Sequence, residues 1–301
     1  MSTIATASAS ATPTTGPSRT ARRGAGERPS WLATGLLMLG ALYCLTPVAW
    51  VLVASTKSGA ELFSTFTFTP STHLFDNIAE LSGYRDGLFW RWMLNTALYA
   101  GVGALASTLV SALAGFALAK YWFPGKRVVF NLLLAGVLVP GVVLAVPQYL
   151  LLAQVELTNT YWSVLLPSIL SPYGIYLARI YTAAAVPDDV IEMARTEGAH
   201  DLRIFRVVAM PMMLPGLVTI FLFQFVAIWN NFLLPFIMLG DDRLFPLTVG
   251  LSGLLNQGAS QPALYTLVVT GALLSIIPLI ALFLTLQRYW RVDLAAGATK
   301  N

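Results

Sequence analysis

Six apolar stretches, each long enough to cross a lipid bilayer as a helix, constrain this sequence more than any other feature. A helix needs about 20 largely apolar residues to span the hydrocarbon core. The stretches cover residues 31–54, 92–119, 128–152, 161–184, 212–239 and 265–286. Only 11% of the 301 residues are charged, whereas about 25% are charged in a soluble domain. The sequence therefore predicts an all-α membrane protein with six transmembrane helices.

The distribution of lysine and arginine predicts the orientation of these spans. An even number of spans places both termini on one side, and cytoplasmic connections carry the excess of positive charge. Of the 18 basic residues, one set of connections holds only Lys57, Arg85, Arg91 and Arg243, and the other set holds the remaining 14. We therefore predict that both termini are cytoplasmic.

Residues 1–29 differ in composition from the rest of the chain. They are rich in Ala, Ser, Thr, Pro and Gly and show no apolar periodicity, which predicts a disordered cytoplasmic tail before a transmembrane domain over residues 30–301. A cleaved signal peptide is the alternative. However, the first apolar stretch is longer than a signal-peptide core and no small-residue cleavage site follows it.

Two connections between the spans are long enough to carry function. The outer connection, residues 55–91, contains the sequence FTFTPSTHLFDN, which predicts an extended segment over the mouth of the helix bundle. The inner connection, residues 185–211, is polar but has helix signals of its own. We predict that it forms an elbow outside the membrane. A segment resting on the lipid surface is the alternative.

The inner connection predicts a short helix from Asp188 to about residue 197. Pro187 suits the first helical position, the aspartates suit the positive end of the helix dipole, and Gly198 can adopt the left-handed conformation that ends a helix. Three apolar residues share one face of this helix: Val190, Ile191 and Ala194. A second helical stretch, through Ile204, Phe205 and Val208, runs to Pro211.

Two patterns within the spans predict helix packing. Small residues recur every four positions along the second span, at Gly103, Ser107, Ser111, Gly115 and Ala119. This seam predicts close packing against another helix, in this chain or in a partner. In the third span, Pro140 and Pro147 predict a kink that leaves backbone carbonyls without their usual partners.

Four residues in the fifth predicted span are candidates for a translocation path: Gln224, Trp229, Asn230 and Asn231. Polar side chains at this depth usually face the protein interior, where they could offer hydrogen bonds and an aromatic face to a polar solute. Interhelical hydrogen bonds that hold the bundle are an equally good explanation. Because no acidic or basic residue lies deep in a span, a proton-coupled carrier and a charged selectivity ring are disfavoured.

The inner connection reads EMARTEGAHDLRIFRVVAMP over residues 192–211, and it resembles the EAA loop of permease subunits from binding-protein-dependent ABC importers. The matching positions are Glu192, Ala194, Gly198, Val208 and Pro211, whereas Met193 and Met210 replace an alanine and a leucine. Other segments resemble the carbohydrate branch, in particular the second membrane subunit of maltose-type systems. These segments include Asn95-Thr96, AGFALAK, Asn159-Thr160 and the C-terminal QRYWRVDLAAGATKN.

The resemblance implies an ABC importer permease core in a bacterial inner membrane, with the helix around Glu192 as the coupling helix. Val190, Ile191 and Ala194 would form its apolar docking face, with Glu192 and Arg195 making polar contacts at the edge. The implied partners are a homologous permease subunit, a pair of ATP-binding subunits and an extracytoplasmic solute-binding protein. This chain has no GxxxxGK[ST] loop, so ATP and Mg²⁺ would be bound by the ATPase, and this chain would bind no cofactor.

Other functions fit the sequence less well. A sugar or oligosaccharide is the expected cargo, and glycerol phosphate or another small polar solute is the alternative. An intramembrane enzyme would need titratable or nucleophilic groups at membrane depth, whereas His73 and His200 lie in connections on opposite sides. A nucleic-acid partner is disfavoured because the basic residues are scattered rather than clustered. The single cysteine, Cys44, excludes an intrachain disulfide.

Overall fold

The computed structural model describes residues 31–258 and 260–298, with side chains up to Tyr289. The predicted N-terminal tail and the end of the C-terminal resemblance lie outside these residues. The described chain is built from helices, without a β-strand. The helices are α1 Trp31–Ala54, α2 Gly59–Ser64, α3 Leu74–Gly83, α4 Leu88–Lys120, α5 Lys126–Leu138, α6 Gly141–Gln154, α7 Tyr161–Ile169, α8 Pro172–Ala185, α9 Asp188–Thr196, α10 Asp201–Arg203, α11 Met210–Trp229, α12 Leu233–Met238, α13 Leu247–Gly258 and α14 Ala263–Ala298, with a π-helix at Ile204–Ala209 and a 3₁₀ turn at Asp242–Leu244.

The chain divides into two units, with the boundary between Pro47 and Val48. The described part of the first unit is the N-terminal portion of α1. Its large apolar side chains, among them Trp31, Leu37 and Tyr43, are exposed, and so is Cys44. An apolar helix with an exposed surface on all sides is typical of a segment surrounded by lipid.

Five helical segments of the described chain are long and apolar enough to cross a membrane: Trp31–Ala54, Leu88–Lys120, Tyr161–Ala185, Asp201–Trp229 and Ala263–Tyr289. A sixth candidate is the pair Lys126–Leu138 and Gly141–Gln154, which is bent by 107°. All six predicted stretches therefore correspond to helical segments. The third and fifth differ from the prediction in shape and in bounds.

The third stretch is a sharp break rather than a kinked helix. Val139 and Pro140 both have extended backbone, and for Val139 the reason is that a proline disfavours helical geometry in the residue before it. Pro147 lies inside α6 without ending it, so the kink predicted there is not a break.

The predicted fifth span, residues 212–239, is wrong at its C-terminal end, whereas at its N-terminal end it continues the second helical stretch predicted through Ile204, Phe205 and Val208. The helix begins at Asp201 and ends at Trp229, and a separate short helix, α12, begins four residues later at Leu233. Asn230 has a non-helical ψ of 4°, and Pro235 cannot donate a backbone hydrogen bond to the preceding turn. The polar Asn230-Asn231 pair therefore lies at a helix end.

The predicted small-residue seam lies at the centre of the second unit. Helix α4 packs along α8 and α11, and most of the seam is buried. A Cβ added at Gly115 would lie 2.5 Å from the Cβ of Ala178, and one added at Gly103 would lie 3.0 Å from Cδ1 of Ile228. The small residues of the seam therefore let α4 approach α8 and α11 of the same chain closely.

The outer connection is more helical than predicted. The stretch FTFTPSTHLFDN is non-helical only up to His73, and from Leu74 it belongs to α3. The buried amide of Asn77 donates hydrogen bonds to the carbonyls of Ser55 (2.8 Å) and Lys57 (2.9 Å), which ties α3 to the end of α1.

A second group of polar residues fixes the connection between α12 and α13. Asn95 donates to the carbonyls of Arg243 and Phe245, at 2.8 and 3.0 Å. The side-chain oxygen of Asn159 accepts hydrogen bonds from the backbone N–H groups of residues 240 and 241. These asparagines, which the sequence singled out, therefore hold a backbone turn in place.

Candidate functional site: the elbow and a cavity beside Gln224

Helix α9 confirms the short helix predicted in the inner connection. Pro187 precedes it in extended conformation, one position earlier than predicted, and Asp188 and Asp189 occupy its first turn. Carboxylates at this end interact favourably with the partial positive charge of the helix dipole. We call residues 185–211 the elbow.

Gly198 ends α9 in the left-handed conformation that the sequence predicted, with φ at +82°. Its N–H donates to the carbonyl of Arg195 (2.9 Å), and the N–H of Ala199 donates to the carbonyl of Ala194 (3.0 Å). These two bonds form a Schellman motif, which satisfies carbonyls at the end of the helix and turns the chain sharply.

The apolar face of α9 is turned towards the chain itself. Ile191 is only 3% exposed and packs in a cluster with Phe116, Val186, Ile204 and Phe205, and Ala194 packs against this cluster. Val190 is half-buried. The prediction that these three residues form an exposed docking face is therefore wrong for Ile191, because the helix uses this face to attach to its own domain.

The opposite face of α9 is exposed. It carries Asp189, Glu192, Met193 and Thr196, which follow the three- and four-residue spacing of one helix face. Met193 is 57% exposed although it is a large apolar residue. We call these four residues the outward face.

Charged groups attach the elbow to the end of α4. The ammonium of Lys120, whose side chain is 7% exposed, lies 2.6 Å from Oδ1 of Asp188. Arg195 lies 3.6 Å from the carboxylate of Asp201 and 5.2 Å from the centre of the Tyr121 ring. Burial, and next the Asp201 carboxylate, raise the pKa of the Tyr121 hydroxyl above its usual value.

The elbow continues without interruption into the candidate membrane span Asp201–Trp229. From Asp201 the chain is helical through the π-helix and α11 to Trp229. The wider π-helical turn directly precedes Pro211, and the N–H of Met210 bonds to the carbonyl of Phe205 rather than to that of Arg206. In a regular α-helix the ring of Pro211 would clash with a carbonyl of the preceding turn, and the wider π-helical turn lets the helix continue through this proline.

A cavity of about 510 Å³ lies where three helical segments are interrupted. It is lined at the α5–α6 break by Gly141, at the α7–α8 break by Ser171, and after α11 by Asn231. Non-helical backbone at membrane depth occurs where it lines a cavity or is buried in protein. The polar side chains in the lining are Gln148, Ser168, Ser171, Tyr173, Gln224 and Asn231, and the lining contains no charged residue.

Two of the four translocation candidates line this cavity, namely Gln224 and Asn231. The Gln224 amide nitrogen lies 2.6 Å from the Ser171 hydroxyl, to which it donates a hydrogen bond. Trp229 is instead buried in the core and stacked on Phe225, and the exposed Asn230 donates to the carbonyl of Val226. The predicted group is therefore divided between a cavity wall and a helix end.

Comparison with known families gives these features a context. Residues 87–291 match the model of the family described as "Binding-protein-dependent transport system inner membrane component". This chain belongs to that family. The match includes the elbow and the cavity, and membership makes the chain a multi-pass inner membrane protein with a role in transport.

Individual relatives of this transport family are similar over nearly their whole length. The arabinooligosaccharides transport system permease protein AraQ of Halalkalibacterium halodurans is 32% identical, over 90% of this chain and 97% of AraQ. The sn-glycerol-3-phosphate transport system permease protein UgpE of Salmonella typhi is 28% identical, over 84% of this chain and 91% of UgpE.

The fold of this transport component is shared with a solved structure. A chain from the crystal structure of a bacterial ABC transporter involved in the import of the acidic polysaccharide alginate aligns with a TM-score of 0.74 and 24% identity. The alignment covers 86% of this chain and 95% of that chain. The two chains therefore share one fold.

Sequence reasoning missed two residues that the structure places at these sites. Ser171 lines the cavity and caps α8 by accepting a hydrogen bond from the N–H of Gly174 (3.0 Å). The Ser171-Pro172 pair is a helix-start signal that could have located the interruption. Lys120, at the end of AGFALAK, pairs with Asp188 across 68 residues, and no local pattern indicates that pairing.

Proposed function

We propose that this chain is a membrane subunit of an ATP-driven importer for a sugar or oligosaccharide, and that a separate ATPase docks on the elbow. The observation that carries this proposal is a continuous helix from Asp201 in the elbow to Trp229, with Gln224 in the cavity wall. The Lys120–Asp188 pair also links the elbow to α4. Movement of the elbow would thus be transmitted both to α11 and to α4.

The outward face of α9 is the proposed contact with the ATPase. It offers Met193 as an apolar anchor, with Glu192 beside it for directional polar contacts, a combination typical of a small docking surface. The inward Ile191 would hold α9 on its own domain during the movement. Hydrolysis would take place on the partner, which would also bind ATP and Mg²⁺, because this sequence has no phosphate-binding loop.

The remaining partners follow from the proposed orientation, with both termini in the cytoplasm. An extracytoplasmic solute-binding protein would deliver the cargo near the outer connection, residues 55–91. A homologous permease subunit would close the cavity on the side formed by α5 and α6. These two helices of the present chain have few buried residues, and they expose apolar side chains such as Val142 and Leu144.

Substitution of the outward face tests the docking proposal. Met193→Asp should strongly reduce co-purification of an ATPase subunit and solute uptake, because it places a charge in an apolar contact. Phe75→Asp is the matched control for ATPase co-purification only, since Phe75 is also large, apolar and exposed but lies on α3 in the outer connection, and ATPase recovery should stay at the native level. Unchanged ATPase recovery with Met193→Asp, at equal membrane abundance, would refute docking on this face.

The uncharged lining of the cavity supports a neutral solute, and the similarity to AraQ supports an oligosaccharide. Similarity to UgpE makes sn-glycerol-3-phosphate the second candidate. Uptake of radiolabelled arabino-oligosaccharides and of sn-glycerol-3-phosphate should be compared in cells with and without this chain. Chain-dependent uptake of the phosphate ester alone would overturn the sugar assignment.

A further inference from the structure

A basic pocket of about 670 Å³ lies away from the elbow contact and from the cavity beside Gln224. Its walls are the connection between α4 and α5, the first turns of α5, and Arg179 from α8. The lining residues are Trp122, Phe123, Pro124, Gly125, Lys126, Arg127, Val128, Phe130, Asn131 and Arg179. The proposed transport function assigns no role to these residues.

Three cations, Lys126, Arg127 and Arg179, line the pocket without an acidic residue among the lining. No carboxylate of the described residues forms an ion pair with any of them. Lys126 donates one hydrogen bond to the carbonyl of Tyr121 (2.9 Å), which leaves two of its three N–H groups for another acceptor. Such a cluster is electrostatically complementary to an anion.

Arg179 is held in position by an aromatic residue. Its guanidinium carbon lies 3.8 Å from the centre of the Phe130 ring, and Phe130 stacks on Tyr176 with ring centres 6.4 Å apart. A guanidinium placed over a ring face keeps its N–H edge free for bidentate contact with a phosphate. Part of the site is therefore already ordered.

The rim of the pocket is apolar and continuous with an exposed apolar surface along α5. Trp122 is 86% exposed, and along α5 Val128 and Leu132 are 62% and 67% exposed. Tryptophan is enriched at membrane–water interfaces, and exposed aliphatic residues below it suit acyl chains. A free phosphate would use only the cations, whereas a phospholipid would use both surfaces.

We propose that this basic pocket binds the phosphate headgroup of an anionic phospholipid, with the acyl chains along α5. Basic pockets between transmembrane helices are known to bind such headgroups. Bound lipid would also restrain the connection that begins at Tyr121, whose ring contacts Arg195 of the elbow.

Native mass spectrometry tests this proposal on the full-length chain, in whatever complex it purifies with. After exchange into nanodiscs of phosphatidylglycerol or phosphatidylcholine, release into mild detergent should leave phosphatidylglycerol bound and phosphatidylcholine absent. The double variant Arg127→Gln, Arg179→Gln should lower phosphatidylglycerol retention by about tenfold or more, because two interfacial charges are lost. The charge-preserving variant Arg127→Lys, Arg179→Lys should retain most of it.

A double variant outside the pocket, Arg203→Gln with Arg206→Gln, has the same change in net charge and should bind phosphatidylglycerol like the native chain. Equal retention of phosphatidylglycerol by the native chain and by the Arg127→Gln, Arg179→Gln variant would overturn the proposal. Binding of inorganic phosphate by the detergent-purified chain, with no retention of phosphatidylglycerol, would also overturn it, since the site would then bind a free anion and not a lipid. Arg127→Gln alone, at an exposed side chain, should show a smaller loss of lipid without affecting folding.

Discussion

At the residue scale, the conformation of Gly198 decides how the elbow turns. A side chain at φ +82° is strained by about 1–2 kcal/mol, and a β-branched one by more. We therefore predict that Gly198→Val loosens the end of α9, with about tenfold faster hydrogen exchange at the amides of residues 198 and 199. Solute uptake should fall with it, since the elbow would no longer be rigid.

Gly198→Asn is the matched control for this prediction. Asparagine tolerates the left-handed region, and a Cβ at this position meets no atom within 4 Å. Uptake and hydrogen exchange should stay close to native values in this variant. If Gly198→Val transported normally, a rigid turn at the elbow would not be needed for transport.

The sequence predicted the conformation of Gly198 but not the surroundings of Ile191. Glycine after an amphipathic helix is a local signal, because few other residues adopt the required φ. The spacing of Val190, Ile191 and Ala194 shows only that one face is apolar, and it does not tell whether the same chain or a partner covers that face. Here Phe205 and Val186 cover it, and they come from other elements.

At the scale of elements, the close contact between α4 and α8 requires a glycine, which has no side chain, at position 115. A Cβ at Gly115 would lie 2.5 Å from the Ala178 Cβ and 2.7 Å from backbone atoms of Ala178 and Arg179. Since backbone cannot rotate away, Gly115→Ala should force the helices apart and cost about 1–3 kcal/mol. We predict a melting temperature several degrees lower for the detergent-purified protein, measured by fluorescence-detected size-exclusion chromatography.

Gly101 in the same helix provides the control. An added Cβ there meets no atom within 4 Å, and alanine is the better helix former by about 1 kcal/mol. Gly101→Ala should therefore leave the melting temperature unchanged or raise it slightly. Equal destabilisation by the two substitutions would show that close packing at Gly115 does not stabilise the fold.

Helix existence was predictable from apolar run length, whereas helix interruptions were predictable only in part. Pro140 correctly marked a weak point in the third stretch, but a proline does not specify a bend of 107°, which depends on tertiary packing. The end of α11 was missed because residues 212–239 are apolar apart from Thr219, Gln224, Asn230 and Asn231. Pro235 and the Asn230-Asn231 pair were the available signals.

At the scale of the whole molecule, the six-span topology depends on whether the bent pair α5–α6 crosses the membrane or forms a re-entrant loop. Lys and Arg counts predict opposite sides for the outer connection and the elbow, and this holds only if three crossings lie between them. The convergence of three interrupted segments on one cavity could not be predicted in this way, since it depends on contacts between distant residues such as Gln224 and Ser171.

Single-cysteine labelling decides between these topologies. In a Cys44→Ser background, Thr72→Cys and His200→Cys each place one thiol at an exposed position, before α4 and after α9 respectively. A membrane-impermeant maleimide should label only Thr72→Cys in spheroplasts and only His200→Cys in inside-out vesicles. Labelling of both variants from the same side would mean that α5–α6 turns back within the membrane. Labelling with the two sides exchanged would instead place the elbow outside the cell, where it could not meet an ATPase.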